Sequence, residues 1–167
     1  QEQAHAAAAD ATRTGTGHLF ASRADLDSED VEPAEFAPWR NFYGRIRGKT
    51  LRASQKDYLA EDLGPLTLRS VTREENPTRT LLDLGFVKGP LWLEVGFGGG
   101  EHLVHMAAAN PDVTLIGAEP FVNGIAMLLG KIRGAGVQNL WLHPGDVRDL
   151  FDVLPDACLS KVFLNYP

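Results

Sequence analysis

The segment Glu94-Val-Gly-Phe-Gly-Gly-Gly-Glu101 sets a carboxylate two positions ahead of three alternating glycines, Gly96, Gly98 and Gly100. Glycine reaches φ > 0 without steric cost and lets a ligand approach the backbone closely. A helix that starts just after such a turn offers free N–H groups. A nucleotide-like ligand fits that combination, and a tight left-handed turn without a ligand is the plainer alternative.

The glycine spacing separates two ligand classes. A dinucleotide fingerprint G-x-G-x-x-G begun at Gly96 needs a third glycine at position 101, where this chain has Glu101. Two nearby carboxylates would also repel a pyrophosphate. S-adenosylmethionine has no phosphate, and it carries a sulfonium and an ammonium that Glu94 can face directly or through water. The spacing and the acids favour this methyl donor over NAD.

Two further acids follow later strands. Glu119 comes after Val113–Gly117, where a carboxylate can accept hydrogen bonds from both ribose hydroxyls. Asp146 comes after Pro144-Gly145, where it can meet the adenine amino edge, although it is equally suited to cap a helix. Taken alone, Glu119 reads as an ordinary loop acid. Three acids at the carboxyl ends of successive strands share one crevice, and their joint placement is the signal.

The remaining candidates are weaker. His102 and His105 lie three apart without a third ligand beside them, so no metal site is expected. His5, His18 and His143 read as tail or loop residues. Cys158, the only cysteine, reads as a buried structural thiol and excludes an internal disulfide framework.

The elements that position these residues alternate. Strands are expected at 91–95, 113–117, 139–142 and 161–165, with helices at 101–110, 121–133 and 146–154 between them. Strands separated by helices of this length imply right-handed crossovers and a parallel sheet, a Rossmann-like α/β fold. The chain stops at the end of the fourth strand, so the sheet is expected to be truncated there. Residues 81–167 thus read as the N-terminal half of a cofactor-binding domain.

Ahead of it, residues 1–38 are Ala-rich, then Thr/Gly-rich, then acidic, and read as a disordered tail. Residues 39–80 form a basic extension. Arg40, Arg45, Arg47, Lys49, Arg52 and Lys56 are interleaved with Trp39, Phe42 and Tyr43. Ser54 is a plausible N-cap for one helix over 55–63, which Gly64-Pro65 would end, and 66–80 reads as a linker. The whole chain is acidic, with 16 Lys and Arg against 22 Asp and Glu. Attraction to a polyanion must therefore be local, and Arg45, Arg47, Lys49 and Arg52 are the candidates for RNA phosphate contact, with aromatics available for stacking. No secretory signal or membrane span is legible, which makes the cytoplasm the default compartment.

The stretches Leu93-Glu-Val-Gly-Phe-Gly-Gly-Gly-Glu-His-Leu103, Ile116-Gly-Ala-Glu-Pro-Phe-Val-Asn-Gly124 and Gly145-Asp146 resemble successive motifs of the tRNA (guanine-N7-)-methyltransferases, class I S-adenosylmethionine-dependent enzymes. So does Gly44-Arg-Ile-Arg-Gly-Lys-Thr-Leu-Arg-Ala-Ser-Gln55. The resemblance runs from about Phe42 to Pro167 and implies that Glu94, Glu119 and Asp146 contact S-adenosylmethionine. It further implies methyl transfer to a variable-loop guanine, position 46 of tRNA. In the family the fourth strand leads into an Asp-Pro-Trp motif whose acid is the proposed catalytic and guanine-binding group. Here the chain reads Phe163-Leu-Asn-Tyr-Pro167, so that acid is expected just after Pro167 and no catalytic residue is assigned within the chain. Three rival readings remain at this point: another class I methyltransferase, a dinucleotide-binding oxidoreductase, and a non-catalytic RNA-binding fragment.

Overall fold

The strands are apolar at most positions, and their alternation sorts side chains onto two faces. Trp92 of β1 (Leu91–Val95), Leu115 of β2 (Thr114–Ala118), and Leu140 and Leu142 of β3 (Leu140–His143) join one core. Leu91, Leu93, Ile116, Ala118 and Trp141 join another. A sheet apolar on both faces has to be covered on both. The computed structural model, which describes residues 44–71, 75–77 and 86–165, has that arrangement.

The first face is covered by four helices: α1 (Ala53–Glu61), α2 (Leu63–Leu66), α3 (Glu101–Ala109) and α4 (Val122–Ala135). They bring in Leu59, Leu63, Leu103, Ala107, Ile125, Leu128 and Leu129, all buried. In α4 the positions Val122, Ile125, Ala126 and Leu129 form one helical stripe, and Gly136, at φ 64°, ends the helix in the left-handed conformation. The second face is covered by α5 (Val147–Val153), through Leu150 and Val153, and by Leu68 and Val71.

The strand order is β3-β2-β1-β4, with β4 at Lys161–Phe163 and every pairing parallel. The expected Rossmann-like α/β sheet is therefore present, with element bounds shifted by a residue or two. β4 lies at the edge of the described sheet, where Val162 is 50% and Leu164 60% exposed. No helix among the described residues is long and apolar enough to cross a membrane.

Four expectations need correction. Helix α1 starts earlier than Ser54 allows: Arg52 is its N-cap, and Gln55 Oε1 accepts from the Arg52 N–H at 3.0 Å. A glutamine reaching back satisfies that donor without a serine hydroxyl. Gly64-Pro65 does not end the helical path but sits inside α2, where proline near a helix start costs no hydrogen bond. The start of the expected linker is ordered against the sheet: Thr67 bridges Leu142 in parallel, and the Leu68 N–H donates to Leu142 O at 2.8 Å. Burial of Leu68 and Val71 drives this, in a stretch too short to show periodicity. Cys158 is half-buried rather than buried. The tail 1–38, with Trp39, Arg40, Phe42 and Tyr43, lies outside the described residues.

Candidate functional site

The strand register puts the three acids at one edge. Glu94 pairs with Gly117 across β1 and β2, and Ala118 pairs with His143 across β2 and β3. The carboxyl ends of these three strands are thus neighbours, with Glu94 inside β1, Glu119 just past β2 and Asp146 shortly past β3.

The glycine turn follows β1 directly. Gly96, Gly98 and Gly100 all have positive φ, at 67°, 57° and 79°. Gly100 is the N-cap of α3, and a Cβ there would fall 2.4 Å from Leu128 Cδ1, so close packing on α4 also demands glycine. At Gly98 the reason differs, since no atom lies within 4 Å of where a Cβ would be. Bare backbone facing open space is a cradle that a ligand can approach. Lys131 holds the turn from α4: its Nζ donates to Gly99 O at 2.8 Å and pairs with Glu101 Oε1 at 3.0 Å. The Glu101 carboxyl is held below its usual range, first by a hydrogen bond from the backbone and then by Lys131.

Glu119, buried, is fastened at both oxygens by backbone. Gly98 N–H donates to Oε2 at 2.8 Å and Phe121 N–H to Oε1 at 2.9 Å. Each carboxylate oxygen can accept a second hydrogen bond, so the pair can still receive two ribose hydroxyls. Glu94 is 2% exposed and meets His102, whose Nδ1 lies 2.7 Å from Oε2, while Asn165 Nδ2 donates to Oε1 at 3.4 Å. His102 thus turns to the carboxylate of the preceding strand, and no group of three or more His, Cys, Asp or Glu able to hold a metal occurs among the described residues.

Asp146 is the N-cap of α5, its Oδ1 accepting from the Arg148 N–H at 2.9 Å. The Arg148 guanidinium also binds it, with Nε 2.8 Å from Oδ2, and Asp146 raises the pKa of Arg148 above its usual value. The helix-cap alternative is therefore realised, and the carboxylate remains at the shared edge. His143, expected in a loop, is the buried last residue of β3. Its Nε2 faces two acceptors, Asp146 O at 3.1 Å and Asp149 Oδ2 at 3.2 Å, so that nitrogen carries the proton. Gly145 makes room for it, as a Cβ there would lie 2.9 Å from Nε2.

The basic candidates Arg45, Arg47, Lys49 and Arg52 are exposed, and their segment runs past the start of α4, where the Val122 N–H donates to Ile46 O at 2.9 Å. Sequence reasoning assigned no role to Lys131, Asn123 or Arg148. Only Asn123 carried a signal, since it falls inside the Ile116–Gly124 stretch.

A parallel, doubly covered α/β sheet with this glycine turn and acids at successive strand ends defines a Rossmann-like methyltransferase domain. Residues 88–167 match a family model described as "Putative methyltransferase". Over 136 residues the chain is 71% identical to a tRNA (guanine-N(7)-)-methyltransferase of Cereibacter sphaeroides, covering 80% of this chain and 56% of that protein. A protein of the same name from Paracoccus denitrificans is 64% identical over 133 residues, 78% of this chain and 57% of its own length. The Roseobacter denitrificans protein of that name is also 64% identical, over 132 residues, with the same two coverages of 78% and 57%. Over most of its length the chain is similar to these bacterial tRNA (guanine-N(7)-)-methyltransferases, and it spans a little over half the length of the relatives it matches.

Proposed function

We propose that this chain supplies the cofactor-binding part of an S-adenosylmethionine-dependent enzyme that methylates N7 of a guanine, position 46 in the variable loop of tRNA. The observation that carries the cofactor reading is Glu119, a buried carboxylate that ties the glycine turn to the start of α4 and keeps acceptor capacity on both oxygens. The names of its relatives support the RNA substrate.

The residues fit the donor. Gly98 offers open backbone, and on this reading Glu119 would receive the ribose hydroxyls and the buried Glu94 would face the cationic end. Asp146, shortly past the third strand, would meet the adenine edge. When bound, the cofactor would supply an electrophilic methyl group carried on its sulfonium sulfur, which leaves as a neutral thioether. Guanine N7 has a free lone pair and loses no proton on methylation, so the protein has to orient and balance charge rather than provide a strong base or a covalent nucleophile. Arg45, Arg47, Lys49 and Arg52 give a local cationic strip for RNA phosphates on an otherwise acidic chain. The compartment proposed is the cytoplasm.

The direct test is transfer of a tritiated methyl group to unmodified tRNA by the complete protein. Incorporation at guanine 46 is expected, and incorporation into a protein or small molecule instead would overturn the substrate. Calorimetry tests the cofactor separately: S-adenosylhomocysteine should bind, NADH should not, and Glu119→Ala should weaken the former. Binding of NADH alone would replace the reading with an oxidoreductase.

A further inference from the structure

The five residues Glu119 to Asn123 grip two distant parts of the chain. At one end Glu119 accepts from Gly98 N–H in the glycine turn. At the other, Asn123 Oδ1 accepts from the Gly48 N–H at 2.7 Å and Asn123 Nδ2 donates to Lys49 O at 2.6 Å. One amide thereby uses an acceptor and a donor on consecutive residues of the basic segment. Val122 N–H adds a backbone bond to Ile46 O at 2.9 Å. Phe121 sits between, and a Cβ at Gly48 would lie 2.9 Å from its Cζ and 3.2 Å from Asn123 Cγ, so only glycine lets the segment lie this close. Residues 44–50 form no helix or strand. Their path is set by these contacts rather than by a backbone ladder of their own.

We propose that Asn123 is a positioning residue for RNA: it anchors Gly48 and Lys49 so that Arg45, Arg47, Lys49 and Arg52 stand as an ordered cationic strip beside the loop that carries Glu119. The inference rests on the proposed function in taking tRNA as the ligand. Anchoring matters because a segment ordered before binding forfeits less conformational freedom when RNA arrives. The cofactor-facing carboxylate is held by other bonds and does not depend on the Asn123 amide.

The experiment uses the complete protein with Asn123→Ala, Gly48→Ala and the pair together. For Asn123→Ala, tRNA affinity should fall about three- to tenfold, the cost of losing ordinary hydrogen bonds. KM for tRNA should rise while kcat and the affinity for S-adenosylhomocysteine stay within about twofold, the split expected of a lost uniform binding contact. Trypsin should cut faster within residues 45–52. Gly48→Ala should reproduce these effects by steric displacement, and the double variant should be no worse than the poorer single one, since both release one contact. A variant with Arg45, Arg47, Lys49 and Arg52 all changed to Ala separates the two possible failures. If it loses tRNA affinity while Asn123→Ala does not, the role of Asn123 is overturned and the RNA reading of the strip stands. If neither loses affinity, the strip itself is not the RNA contact and the inference falls with it. If Asn123→Ala loses cofactor affinity as much as tRNA affinity, Asn123 is a general structural residue and the proposal is overturned.

Discussion

His102 Nδ1 on α3 lies 2.7 Å from Glu94 Oε2 on β1, and the side chain it meets is 3% exposed. The histidine is the more open partner, its side chain 38% exposed, and its ring stands edge-on to Phe163 at 5.0 Å. A buried carboxylate costs stability unless it is hydrogen-bonded. Here a helix side chain meets one oxygen and Asn165 the other, so both oxygens of the buried carboxylate are partnered.

Replacing Glu94 by Gln keeps the shape and removes the charge. S-adenosylmethionine affinity should drop about tenfold or more, the scale of a charge-assisted hydrogen bond. S-adenosylhomocysteine should lose less, because it lacks the sulfonium. Titration calorimetry with both ligands measures the ratio, and equal losses would show that the carboxylate does not face the sulfonium.

Asp146 has two separable duties. Asn is as good an N-cap as Asp but cannot pair ionically with Arg148, so Asp146→Asn should cost less stability than Asp146→Ala, which also loses the cap at about 1 kcal/mol. If the carboxylate also meets adenine, both variants should weaken S-adenosylhomocysteine binding. Chemical denaturation paired with calorimetry decides, and unchanged binding in both would leave Asp146 as a helix cap alone.

Gly124→Ala inverts the usual helix rule. Inside a helix, alanine is ordinarily favoured over glycine by about 0.5–1 kcal/mol. Gly124 lies in α4, but a Cβ there would fall 2.2 Å from Gly98 O, a backbone atom of the glycine turn. The variant should be destabilised by about 1–3 kcal/mol, as overpacked sites are, and should bind S-adenosylhomocysteine poorly. A raised melting temperature would show that the turn and α4 are not in contact.

Burial pushes the Cys158 thiol above its ordinary range, and Asp156 adds to the effect. A folded pKa above the unfolded one means that the unfolded chain yields its proton first. Any contribution of this group to stability is therefore intact below the unfolded thiol range and is lost as pH rises through it towards the folded value. Iodoacetamide labelling of the native protein should be slower than of free cysteine at pH 8 and should keep rising at higher pH. Labelling as fast as that of free cysteine would contradict a desolvated thiol.

The order of strands and helices was legible because each element carries its own period, and a strand followed by a helix of this length admits essentially one handedness of crossover. Gly96, Gly98 and Gly100 also marked a turn by themselves, since freedom to take positive φ is a property of the residue. The chain alone therefore determined a parallel α/β sheet with a glycine bend beside Glu94. It left open what each acid touches, because hydrogen bonds between residues far apart in sequence depend on how the layers dock. Glu119 reaches Gly98, His102 reaches Glu94, and Asn123 reaches Gly48 only once α3 and α4 are packed on the sheet. Packing on the opposite face drew Leu68 and Val71 into a core with Leu150 and Val153, and His143 became the buried end of a strand, outcomes set by shared burial rather than by local pattern.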